Sequence, residues 1–192
     1  MVSLSSVRTA ALVMAHPDDE SLWCGGLVLH TPHVEWTAIC CTIPARDPIR
    51  AGKFACACHA LGVRKMRVIP RTETPAKVAL PSEHLADIGD LSGYDLVVTH
   101  GPEGEYGHVH HRQVSDYVRK LRPDAATSAY GQAGTWTLTL TDAERAGKLA
   151  ALKCYDHVLP YNGRPMPKWE ALLKRYAGEY DLWTERYRGL GA

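Results

Sequence analysis

Directly behind a short apolar run, Ala10-Ala11-Leu12-Val13-Met14, the chain places His16-Pro17-Asp18-Asp19-Glu20, one imidazole and three carboxylates within five residues. The run reads as a buried parallel strand, so the charged cluster opens at the end of a core strand. Gathering several ionisable groups at such a place costs several kcal/mol unless a metal or a partner compensates. A divalent metal beside a catalytic base supplies that compensation, which points to a metal-dependent hydrolase.

The rest of the chain alternates in the same way. Strand-like runs over about Thr9–Ala15, Val34–Cys41, Lys65–Ile69 and Tyr94–His100 are separated by helix-like segments over about Glu20–His30, Ile49–Leu61 and Ser82–Ile88. Gly62 sits where a helix C-terminus needs it, and residues 71–81 read as loop. After a Gly-, Glu- and His-rich loop at 101–109 come a helix from about His110 to Leu121, strands near 125–130 and at Trp136–Leu140, and a helix from Thr141 to about Tyr155. Thr141 and Glu144 have the spacing of a capping box at the start of that last helix. A helical segment is expected over about Lys168–Tyr187. The alternation predicts an α/β fold, a Rossmann-like three-layer sandwich with a mostly parallel sheet, formed as one domain over residues 1–192. In such sheets ligands bind at the carboxyl ends of the strands. The ionisable clusters at 16–20 and 100–111 both follow predicted strands, so they are expected to converge.

Composition narrows the class. A net charge of +1 on 192 residues gives no surface for a polyanion, so no nucleic-acid partner is expected. No apolar stretch reaches the roughly 18 residues of a membrane span, and the first ten residues do not read as a signal peptide. Six Cys are present. Cys56 and Cys58 lie two apart in a helix and face different ways, so they are poorly placed to bridge. Reduced thiols in a cytoplasmic protein are the expectation. Cys56, Cys58 and His59 together read as core packing. Nine Tyr and five Trp against one Phe suit wet, sugar-binding clefts, and Tyr161, Trp169, Tyr176, Tyr180 and Trp183 are candidates for such a wall or for helix packing.

The chemistry follows from spacing. His16 and Asp19, three apart at a turn into a helix, can face one metal, and His111 at the start of a later helix can supply a third ligand. Two His and one carboxylate leave an open coordination position, as catalytic zinc sites do. Asp18, next to a ligand, is placed to act as the base. Glu20 is read as helix-opening or supporting, and His100 as a structural residue near the site.

These residues resemble the PIG-L/LmbE-like N-deacetylases. His16-Pro17-Asp18-Asp19-Glu20 fits the family's first motif fully, and Glu105-Tyr106-Gly107-His108-Val109-His110-His111 resembles its Tyr-Gly-His-Pro-Asp-His motif. The likeness is good over residues 9–120 and weak in the last third. It implies one zinc per chain held by His16, Asp19 and His111, with Asp18 as general base. His108 would stabilise the oxyanion, Tyr106 would reach the same oxygen, and Arg50 would bind substrate. The implied reaction is hydrolysis of an N-acetyl group from an amino sugar or its conjugate. The partner is then a small N-acetylated sugar or glycoconjugate, with a homo-oligomer rebuilding pocket walls that a short chain lacks. Alternatives are an amidase of the same family acting on another amide, or a metal- or carbohydrate-binding protein with impaired catalysis. Two departures stand out. Val109-His110 replaces the family Pro-Asp, whose Asp orients the neighbouring His, leaving Glu103 and Glu105 as carboxylates that could take its place. Lys53 stands where an acidic residue is frequent.

Overall fold

Two turns of the chain order place everything else. The computed structural model describes residues 2–43, 49–130, 134–155, 158–161, 164–167 and 182–191. Its elements run β1 (Val2–Ser3), β2 (Thr9–Met14), α1 (Asp19–Trp23), α2 (Gly25–His30), β3 (Glu35–Cys40), α3 (Arg50–Leu61), β4 (Lys65–Val68), α4 (Ser82–Ala86) and β5 (Leu96–Thr99). They continue with α5 (Val109–Leu121), β6 (Ala126–Ala129), β7 (Trp136–Thr139), α6 (Asp142–Lys153), β8 (Val158–Tyr161), β9 (Arg164–Pro167), β10 (Thr184–Arg188) and β11 (Leu190–Gly191). The main sheet has seven strands in the order β4-β3-β2-β5-β6-β10-β7, parallel through β4 to β6, with β10 antiparallel to both its neighbours. The chain steps outward from β2 to β3 and β4, then returns to lay β5 on the other side of β2. The strand order reverses between β2 and β5, and at that switch the loops leaving the two carboxyl ends part and open a crevice.

Side-chain alternation along β2 divides the core in two. Ala10, Leu12 and Met14 pack with Leu22, Leu27, Phe54, Leu61 and Leu152 of α1, α2, α3 and α6. Ala11, Val13 and Ala15 pack with Leu85, Val114 and Val118 of α4 and α5. Both faces of β2 are covered, which explains its unbroken apolar sequence. The expected three-layer α/β sandwich is present. Among the described residues no helix is long and apolar enough to cross a membrane.

Three local expectations are corrected. The helix read as Glu20–His30 is two helices, α1 and α2, broken at Cys24, whose ψ of 2° departs from helical geometry. Gly26 is needed there because a Cβ would lie 2.3 Å from Leu140 Cδ2 and 2.9 Å from the Glu185 carboxyl. The helix expected over Lys168–Tyr187 does not hold at its C-terminal end. Thr184–Arg188 is a strand inserted between β6 and β7, while 168–181, with Trp169, Tyr176 and Tyr180, lies outside the described residues, as does the Tyr161 side chain. The thiols are not all reduced: Cys56 of α3 is bonded to Cys154 at the end of α6, with Cα atoms 5.8 Å apart. Cys56 and Cys58 face different ways, as their spacing requires; Cys58 enters the core and Cys56 points outward to a partner 98 residues away.

A buried ion pair ties β10 to the helical layer. Glu185 accepts hydrogen bonds from the Gly26 and Leu27 backbone N–H groups at 2.7 and 2.8 Å, from Tyr187 Oη at 2.6 Å and from Lys148 Nζ at 2.5 Å. Lys148 also donates to the Leu182 carbonyl at 3.1 Å. Both charged side chains are fully buried. Lys148→Ala would leave the Glu185 carboxylate without its counter-charge, so urea unfolding should show a loss of about 3–5 kcal/mol. A loss no larger than the ~1 kcal/mol of a surface pair would refute this account.

Candidate metal centre and active site

The loop after β2 carries the first cluster. Asp18 adopts φ 122°, a conformation that non-glycine residues avoid, at a strain cost of about 1–3 kcal/mol. The surroundings hold it there. Its N–H donates to Glu20 Oε2 at 3.0 Å, and its carbonyl accepts the Ser21 and Leu22 N–H groups. Glu20 Oε1 in turn accepts Ser21 Oγ at 2.6 Å and Tyr155 Oη at 2.9 Å. Burial of Glu20 pushes its carboxyl up to about 7. The Asp18 carboxylate is held by Arg50 Nη2, and Arg50 Nε donates to the Pro17 carbonyl at 3.0 Å.

The loop after β5 brings the second cluster to the same point. His16 Nδ1, Asp19 Oδ2 and His111 Nε2 form a triangle with sides of 3.2, 3.2 and 3.4 Å. Three donor atoms on a tetrahedral ion with bonds of about 2.0–2.1 Å stand roughly 3.3–3.4 Å apart, so the triangle has the size of one face of a zinc tetrahedron. The donor set, two imidazoles and one carboxylate, also suits zinc.

Asp19 is buried, which favours its neutral form, yet the imidazoles of His111 and His100 hold its carboxyl well below the usual carboxylate range. His111 is likewise buried, but Asp19 and Glu105 raise it to about 10. The space between these carboxylates therefore favours positive charge.

Glu105 anchors the second cluster. Its Oε2 lies 2.6 Å from His111 Nδ1 and 3.1 Å from His100 Nδ1, and its Oε1 accepts the Gly101 N–H at 2.9 Å and Ser128 Oγ. A carboxylate behind a ligand imidazole sets the ring's tautomer and raises its basicity. Burial works against the Glu105 anion, but the two imidazoles outweigh it and hold its carboxyl far below the usual range. His100 is fully buried, with Nε2 3.0 Å from the Ala15 N–H and 3.3 Å from Asp19 Oδ2.

His16, Asp18, Asp19, Leu22, Arg50, Glu73, Tyr106 and His108 line a cleft of about 120 Å³. His108 caps α5 and accepts the His110 N–H on Nδ1 at 3.3 Å, leaving Nε2–H as its donor. Burial, reinforced by His111 and His16, pushes it down to about 3. Tyr106, 41% exposed, stands at the mouth with its ring edge-on to His108.

The expected ligands, base, oxyanion donor, Tyr106 and Arg50 thus lie around one cleft. Arg50 faces it while engaged with Asp18. Of the two carboxylates considered as substitutes for the missing Asp, Glu103 binds Arg188 at 2.8 Å on the exterior. Glu105 hydrogen-bonds to His111 and His100 and not to His108. Sequence reading missed Glu105 as an anchor, His100 as part of the buried centre, Glu73 on the cleft wall and Tyr155 beneath Glu20. A His ending a core strand five residues before a Glu in a ligand-bearing loop was the one signal available for the first two.

Residues 11–122, more than half of the chain and including both clusters, match the family described as GlcNAc-PI de-N-acetylase, PIG-L. A 1D-myo-inositol 2-acetamido-2-deoxy-alpha-D-glucopyranoside deacetylase 2 from Catenulispora acidiphila is 28% identical over 170 residues, covering 68% of this chain and 54% of that protein. The chain thus spans about half the length of this relative. The N,N'-diacetylchitobiose deacetylase from Pyrococcus horikoshii has a TM-score of 0.69 at 17% identity, covering 96% of this chain and 84% of that one. GalB, the 4-carboxy-2-hydroxymuconate hydratase from Pseudomonas putida KT2440, has a TM-score of 0.64 at 14% identity, covering 94% and 95%. A deacetylase and a hydratase therefore share this fold, and the fold alone does not choose between their reactions. With the two motifs matched along the sequence and their side chains gathered in one cleft, the chain belongs to the PIG-L family.

Proposed function

We propose that this protein is a zinc-dependent N-deacetylase that hydrolyses the N-acetyl group of a small amino sugar or its conjugate, releasing acetate and a free amine. The observation that carries the reading is the His16–Asp19–His111 triangle with the Asp18 carboxylate beside it in the same cleft. The family description and the relative's printed activity support the substrate class.

Zinc held by the three donors would supply Lewis-acid polarisation of the acyl oxygen and make a nearby water more acidic. The protein's own groups do the rest. Asp18 takes the proton of the water that attacks the acyl carbon, and returns a proton to the nitrogen as the C–N bond breaks. His108 donates from Nε2–H to the oxyanion that develops on the acyl oxygen. Arg50 keeps the Asp18 carboxylate aimed at the cleft, while Glu20 keeps the backbone of Asp18 in its strained turn. The cleft admits an acyl group, and the sugar lies outside it, against Tyr106 and Glu73. In this reading the enzyme carries one zinc per chain.

Metal analysis with an acetate-release assay on N-acetylglucosamine conjugates tests the proposal. The purified protein should bind about one zinc, and His16→Ala or His111→Ala should abolish binding. Asp18→Asn should keep zinc while deacetylation falls by about 10²–10⁴. An Asp18→Asn enzyme as active as the parent would eliminate the assigned base. Zinc binding with no acetate release from any N-acetylated sugar would favour a binding protein or a different reaction on this fold.

Two further variants probe the supporting groups. His108→Ala should lower kcat by about 10²–10³ with zinc retained. Glu105→Gln should weaken zinc about 10–100-fold in a chelator competition, because the amide cannot serve both His111 and His100 as the carboxylate does. Unchanged zinc affinity would remove Glu105 from the centre.

A further inference from the structure

His110 stands where the family motif has an aspartate, and the mechanism above leaves it without a task. It is 1% exposed, on the first turn of α5. Its Nδ1 lies 2.9 Å from His16 Nε2. Its Nε2 lies 2.9 Å from the Val78 carbonyl oxygen and 2.9 Å from Thr74 Oγ1, and that hydroxyl itself donates to the Val78 carbonyl at 2.7 Å. Glu73 Oε2 also lies near His16 Nε2, at 3.6 Å, beyond hydrogen-bond range.

These contacts determine where the protons sit. A carbonyl oxygen only accepts, so His110 Nε2 carries the proton that bonds to Val78. A neutral imidazole has one such proton, so His110 Nδ1 is a lone pair and accepts from His16 Nε2–H. With His16 Nε2–H given to His110, a cation held at the triangle would find the His16 lone pair on Nδ1, the atom 3.2 Å from both Asp19 Oδ2 and His111 Nε2. A single backbone carbonyl sets the tautomers of two rings in series. A ligand imidazole ordinarily gives its outer N–H to a carboxylate, a carbonyl or water. Here a second imidazole takes that place and passes the restraint to the 72–80 loop.

Building on the assignment of His16, Asp19 and His111 as the zinc ligands, we propose that His110 is a positioning residue for His16. Its Nδ1, held as an acceptor by the Val78 carbonyl, fixes the His16 ring with Nδ1 deprotonated toward the metal.

The test is zinc affinity in the full-length protein by competition with a chromophoric chelator, together with the visible spectrum of the cobalt(II)-loaded form. The variants are His110→Asn, His110→Gln and His110→Leu, with His16→Ala as reference. An Asn oxygen falls near the Nδ1 position and preserves the acceptor, so His110→Asn should bind zinc within about threefold of the parent and keep its cobalt spectrum. His110→Gln reaches toward Val78 but lacks the acceptor facing His16. It and His110→Leu should bind about 10–100-fold more weakly with an altered spectrum.

Rescue by Gln and not by Asn would overturn the proposal, since it would mean that only the loop contact matters. So would parent-like affinity in all three variants. If His16→Ala itself retains zinc, the metal-site assignment has failed. If His16→Ala loses zinc while His110→Leu binds normally, the site stands and the positioning role alone is refuted. Thermal melts of the metal-free variants establish that each is folded.

Discussion

One carboxylate oxygen, Oδ2 of Asp19, is where the two halves of this structure meet. It lies within 3.4 Å of ring nitrogens from His16, His100 and His111 and accepts the His16 backbone N–H at 2.9 Å. Buried ionised groups persist only when their neighbours supply the interaction that water would have supplied. Asp19 finds it in imidazoles, and His111 finds its counter-charge in Glu105. The acidic turn after β2 and the His-rich loop after β5 are thus mutually dependent, and each would be costly to bury without the other.

The same economy extends outward. The strained backbone at Asp18 persists because Glu20, Ser21 and Leu22 satisfy or use its polar groups, while Tyr155 from the end of α6 reaches under Glu20. Arg50, at the start of α3, lies 5.8 Å from the Tyr155 ring and grips Asp18. The disulfide joins these same two helices. Strain at Asp18 is therefore maintained by elements from three distant parts of the chain, and strain that survives in this way is typical of functional sites.

Much of the fold was legible because its signals are local. β2 is apolar on both faces because helices cover both. Gly62, at φ 81°, closes α3 as a C-cap glycine should. Thr141 and Glu144 form the capping box at α6 that their spacing predicts. The break between α1 and α2 was hidden because its cause, the carboxyl of Glu185 pressed against Gly26, comes from 159 residues away. The strand at Thr184–Arg188 was hidden for a similar reason. Its burial alternates in the described chain, Glu185 and Tyr187 inward, but its inward Glu is a charge paired with Lys148, so no apolar alternation marks it.

The sequence by itself determined which residues line the candidate site, those proposed as ligands, base and oxyanion donor, and the family to which the chain belongs, because these residues cluster within two short stretches that each follow a core strand. Tertiary structure alone decided the pairings. Reversal of strand order between β2 and β5 brought His16 and His111 to 3.2 Å across 95 residues. The folded chain also assigned Glu105 to His111, gave His110 to His16, and joined Cys56 to Cys154. Hydrogen bonds and disulfides reach only a few ångströms and depend on direction, so which partners meet is set by the folded path and not by distance along the chain.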